Sequence, residues 1–171
     1  MRERALQRVG LLLLGLPAVV IGAWAAFAPR SFFDDFPGFG QRWVAPDGVF
    51  NEHLVRDVGE LNLALALVAL VAVVWTTPVL VRVAAGAWLV NGVPHLVYHL
   101  RHLDSLASDA RVSSITGLAL GPLVAVALLL STVRDWRLPR ARGAMIGRSK
   151  TPSSASSTSA STASRVRSPS T

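Results

Sequence analysis

The chain has 171 residues, of which 51% are hydrophobic and 16% charged, and it carries a net charge of +7 with no cysteine. Without thiols, a disulfide scaffold, a thiolate metal site, an iron–sulfur cluster and a cysteine nucleophile are excluded. The apolar residues gather in four runs of roughly 18 to 21, close to the length a helix needs to cross about 30 Å of hydrocarbon, which places the chain among integral membrane proteins.

The positive charge is not a nucleic-acid signature. Arg2, Arg4 and Arg8 precede the first apolar run, and Arg134, Arg137, Arg140, Arg142, Arg148 and Lys150 follow the last. Basic residues beside a span orient it and attract anionic headgroups, so the expected partner is the lipid bilayer and no nucleic acid.

The first predicted span covers residues 9–28. Its basic start and Ala26-Phe27-Ala28 end resemble a signal peptide, but the run is long enough to span and Pro29 would follow the cleavage point, so retention is expected. Residues 29–53 form a loop in which Phe32, Phe33, Phe36, Phe39 and Trp43 either dip into the headgroup layer or pack as a lid over the helix ends. Asn51 is the predicted N-cap of the second helix, with the acidic Glu52 in its first turn. That helix enters the hydrocarbon near Val58, giving a span of 58–75. Thr77 and Pro78 then cap and start the third span, 78–98, after a turn so short that spans two and three must be antiparallel neighbours. The fourth span covers 115–133. Residues 141–171 read as a disordered basic tail rich in Ser and Thr, unable to bury enough apolar surface to offset its chain entropy.

The fold class expected is therefore all-α, an integral membrane four-helix bundle with a disordered C-terminal tail. Lys and Arg are about twice as frequent at the termini and the 76–77 turn as in the other two loops, which makes both termini cytoplasmic. Arg82 then snorkels to the cytoplasmic surface, Trp75 and Trp136 mark the inner interface, and Trp24 and Tyr98 the outer one.

All four histidines, His53, His95, His99 and His102, fall at the outer ends of spans two and three. At about 100° per residue, Asn91, His95, Tyr98, His99 and His102 share one face of span three, while His53, Asp57 and Glu60 share one face of span two. Folding the hairpin about residues 76 and 77 brings Glu60 level with Val93 and makes His95 its nearest candidate partner. Pro94 removes an amide hydrogen bond beside His95, so a kink is expected there.

Three chemistries fit this outward-facing site between spans two and three. One is a structural His/carboxylate network, including Arg56, that locks the hairpin. Another is a transition-metal centre drawn from His53, Asp57, Glu60, His95, His99 and His102. The third is a ligand or proton-relay site built from Asp57, Glu60, Asn91, His95, Tyr98 and His99, with a quinone, a lipid or another small molecule as ligand. Haem fits less well, because His95 and His99 share a face and His53 would have to supply the second axial ligand.

Gly117 and Gly121 form a small-xxx-small surface on span four, for packing inside the bundle or for association with another copy or a partner membrane protein. Trp88 lies mid-span as a core residue. No P-loop, dinucleotide fingerprint, nucleophile elbow or H-E-x-x-H occurs, so a non-enzymatic role is expected.

With four spans, the Asn51-Glu52-His53-Leu54-Val55-Arg56-Asp57-Val58-Gly59 segment and Pro94-His95-Leu96-Val97-Tyr98-His99, the chain resembles small bacterial four-span membrane proteins grouped with the DoxX-like families over about residues 8 to 135. The resemblance implies a bacterial cytoplasmic membrane and a quinone-linked redox or stress role; it brings no catalytic residues. The Arg-rich, Lys-poor composition points the same way, to a bacterial genome of high GC content.

Overall fold

The computed structural model describes residues 2–103 and 108–133. The expected tail at 141–171, Trp136 and the basic residues from Arg134 onward lie outside the described residues. Four long helices carry the fold: α1 (Arg2–Phe27), α3 (Glu52–Val74), α4 (Pro78–Arg101) and α5 (Ser108–Val133). All four are long and apolar enough to cross a membrane, so the chain is a multi-pass helical protein. Each starts or ends beyond the apolar run that announced it. Hydropathy marks only the length inside hydrocarbon, whereas a helix continues wherever its peptide groups can go on bonding to one another.

The caps at the centre of the chain follow from local chemistry. The Asn51 side chain accepts from the Leu54 amide at 3.2 Å, and that of Thr77 from the Leu80 amide at 3.3 Å, with Pro78 at the first helical position. The intervening turn sends α4 back alongside α3.

The most extensive contacts, however, are α1 with α3 and α4 with α5; the α3–α4 hairpin contact is smaller. Small residues decide this. Gly22 of α1 and Gly59 of α3 sit where the two backbones cross: a Cβ on Gly22 would lie 2.9 Å from the Gly59 carbonyl oxygen, and one on Gly59 would lie 2.8 Å from the Gly22 carbonyl oxygen. Ala18, Ala25 and Ala26 on α1 and Ala66, Ala69 and Ala72 on α3 are buried along the same faces. Between α4 and α5, Gly92 faces the Pro122 ring and Gly121 receives the Trp88 indole, 3.0 and 3.5 Å from where their Cβ atoms would be. Leu11, Leu14, Val81 and Leu128 fill the centre.

At the end of the bundle that carries the 76–77 turn, hydrogen bonds tie the helices together. Gln7 Nε2 donates to Ser131 Oγ at 3.1 Å and Arg8 Nε to Thr76 Oγ1 at 3.1 Å. Arg82, expected to snorkel toward this end, reaches across to α5 and donates to Thr132 Oγ1 and to the Thr132 carbonyl at 3.1 and 2.9 Å.

The opposite end is closed by residues 28–51, which form a short helix α2 (Pro29–Asp35), a hairpin of β1 (Pro37–Gly38) and β2 (Gln41–Arg42), and a 3₁₀ turn at Ala45–Asp47. The loop aromatics pack as a lid. Phe32 and Phe33 are buried with Ala25 and Val55, and Trp24, Phe36, Val44 and Phe50 pack around them. The Arg30 guanidinium lies 5.0 Å from the Phe50 ring centroid and pairs with Asp34 at 2.7 Å. Phe39 is the exception, fully exposed at the hairpin tip. The two-residue loop Phe39-Gly40 has φ of 56° and 76°, the positive pair that a type I′ turn requires.

Candidate functional site

The cap at Asn51 sets the first turns of α3 at the lid end and so fixes His53, Glu52, Arg56 and Asp57. His53 Nδ1 stands 3.4 Å from Asp57 Oδ1, one turn apart on an exposed face. Arg56 points to the other side. Its guanidinium donates to the Ala26 carbonyl, one of the acceptors left open at the end of α1, and to Glu52 Oε1 at 2.8 Å. Arg56 therefore fastens α3 to α1 instead of joining the histidines.

The C-terminal turns of α4 present the other group. His95 and His99 lie edge to face with ring centroids 4.8 Å apart, and Tyr98 stacks on His102 at 4.2 Å. His102 Nδ1 also meets the Tyr98 carbonyl at 2.8 Å, closing the helix end. The acid that meets this group comes from the lid. Asp47, last residue of the 3₁₀ turn, places Oδ2 3.8 Å from His99 Nδ1, with the two side chains only 22% and 13% exposed. A carboxylate this sheltered is screened less than one at the surface and favours an imidazole N–H turned toward it.

A second latch lies beside the first. Gln41 Oε1 on β2 accepts from Trp43 Nε1 at 2.9 Å and from Ser113 Oγ of α5 at 2.8 Å. The Trp43 ring covers Gly117, 3.2 Å from where a Cβ would stand. Gly121 thus receives the Trp88 ring inside the bundle, whereas Gly117 receives the Trp43 ring from the lid and not a bundle helix.

Of the residues singled out from sequence, the fold joins His95, Tyr98, His99 and His102 in one group and His53 with Asp57 in another. Glu60 is exposed and, among the described residues, has no hydrogen-bond or ion-pair partner; His95 is not bonded to it. Asn91 is half-buried one turn inside His95. No three His, Asp or Glu side chains among the described residues converge as a metal-holding group, so the six candidate ligands do not form one donor set here. The physical reason is rotational. The buried face of α3, with Gly59, Ala66 and Ala69, is held on α1, and at about 100° per residue His53, Asp57 and Glu60 fall on the opposite side.

Asp47, Gln41 and Ser113 were not singled out, and Trp43 was read only as one of the loop aromatics, not as a partner of Gln41. Asp47 lies in Ala45-Pro46-Asp47-Gly48, a turn signal carrying a carboxylate in the loop at the histidine end, and that was the signal available. Comparison with protein-family models, curated proteins and solved structures finds no match to this chain.

Proposed function

We propose that this is a multi-pass protein of a bacterial cytoplasmic membrane, both termini inside, whose outward-facing His/carboxylate site holds a partner or small ligand and does not run an enzymatic reaction. The observation that carries the reading is the sheltered Asp47–His99 pair with His95 set edge-on against it. With Asp47 engaging Nδ1, the His99 ring is fixed in orientation, and its far nitrogen is directed away from the carboxylate as a hydrogen-bonding group of defined direction. His95 adds a second imidazole on the exposed side, and Tyr98 a hydroxyl. Together they suit a ligand that both accepts and donates hydrogen bonds, such as a carbonyl-bearing ring or a polar peptide segment.

The redox reading rests on the DoxX-like resemblance, and a quinone head group belongs to the ligand class just described. A metal centre has no converging donor set behind it among the described residues. The test is gentle purification of wild type and Asp47→Asn, followed by native mass spectrometry, metal analysis and an absorption spectrum. The expected result is a bound mass or chromophore in the wild type that falls at least about tenfold in the variant under conditions where both remain folded, as for loss of about 1.4 kcal/mol of binding when the carboxylate no longer orients the ring. A wild type that carries neither ligand nor partner, with the variant indistinguishable from it, overturns the reading.

A further inference from the structure

The polar stripes of α3 and α4 both remain on the surface of the single chain. On α3, His53, Asp57 and Glu60 recur at i, i+4 and i+7, on the side away from α1. On α4, His95, Tyr98 and His102 are exposed along the border of the α4–α5 contact. Glu60 is the sharpest case: it lies two residues beyond Val58, where the apolar run begins, and has no hydrogen-bond or ion-pair partner among the described residues. A carboxylate there costs roughly 2.5 to 3.5 kcal/mol at the centre of a span and less near its end, and such groups are found paired or facing protein.

We propose that these two stripes are the two halves of one self-association surface, the acidic stripe of α3 in one copy docking on the imidazole stripe of α4 in a second copy. Chemical complementarity supports this. Carboxylates only accept hydrogen bonds when ionised, whereas imidazoles and the Tyr98 hydroxyl can donate. Depth supports it too. Counting about 1.5 Å per residue from the 76–77 turn, Glu60 and Asp57 lie at roughly 24 and 28 Å, and His95 and Tyr98 at roughly 27 and 32 Å. Copies related by an axis along the membrane normal keep these depths, so the carboxylates of one copy stand level with the donors of the other. Because each copy carries both stripes, the contact can be made twice across a two-fold axis and closes on itself. The surface shares His95 and Tyr98 with the proposed ligand site, but Glu60 belongs to this surface alone and Asp47, which meets His99 from the lid, to the ligand site alone, so Glu60→Ala and Asp47→Asn let either proposal fail by itself.

The chain has no native cysteine, which makes introduced thiols unambiguous. Full-length Asp57→Cys and Tyr98→Cys variants, tagged differently and co-expressed, leave Glu60 and His95 in place and should give a dimer band with a short bis-maleimide in native membranes. Val20→Cys, exposed on α1, should give none. In vesicles, dilution of fluorescently labelled protein should show self-association weakened roughly five- to thirtyfold by Glu60→Ala, and His95→Gln should weaken it in the same direction. If Glu60→Ala fails to insert, Glu60→Gln serves in its place. Single photobleaching steps throughout, a cross-link to a different protein in place of a second copy, or an association unchanged by both the Glu60 and the His95 substitution would each overturn the proposal.

Discussion

His99 is held between a carboxylate from the lid and an imidazole from its own helix, and its 13% exposed side chain marks the most sheltered ionisable group of the site. A double-mutant cycle with Asp47→Asn and His99→Gln, followed by thermal or denaturant unfolding in detergent, should give a coupling of about 0.5 to 3 kcal/mol. Strict additivity would mean that the pair holds nothing. Ser113→Ala removes the donor to Gln41 Oε1 and should cost about 0.5 to 1.5 kcal/mol, by loss of one intramolecular hydrogen bond. Its neighbour Ser114 behaves oppositely: the hydroxyl is buried with no hydrogen-bond partner among the described residues, so Ser114→Ala should be neutral or slightly stabilising in the same assay. The residue types at the site were legible in the sequence because all four histidines crowd one end of the molecule. Asp47 was not, because a loop has no period from which to infer which way its side chains turn.

Helix α3 shows what periodicity could and could not tell. Its cap, its length and its reversal into α4 were legible, and so was the depth of each polar residue. Rotation about the helix axis was not. It is set by the crossing at Gly22 and Gly59, where backbone meets backbone, and that crossing leaves Glu60 on the face opposite α1, with His53 and Asp57. The signal was present in Ala18, Gly22 and Ala26, small residues four apart on the first span, which compete with the short turn for the face of α3. Gly59→Ala should therefore destabilise the protein by about 1 to 3 kcal/mol or more, since the atoms it would strike are backbone and have no rotamer to escape into. Gly86→Ala is the matched control. Its Cβ would meet nothing within 4 Å, and it should be neutral or stabilising by up to about 1 kcal/mol. Equal effects of the two substitutions would contradict the account of the crossing.

As a whole, the molecule has two unlike ends. One is closed by hydrogen bonds from Gln7, Arg8 and Arg82 to Ser131, Thr76 and Thr132, the other by an aromatic lid that brings Asp47 to His99. The proposed topology, which rests on the distribution of Lys and Arg, puts the first end in the cytoplasm and hence the His/carboxylate site outside. The most direct test of that assignment labels single cysteines in intact cells with a membrane-impermeant maleimide, comparing Phe39→Cys at the exposed hairpin tip with Arg4→Cys and Thr77→Cys at the basic end. Phe39→Cys should react in intact cells, and the other two only after permeabilisation. Labelling of Arg4→Cys or Thr77→Cys from outside, with Phe39→Cys protected, would invert the protein and remove the outward-facing site.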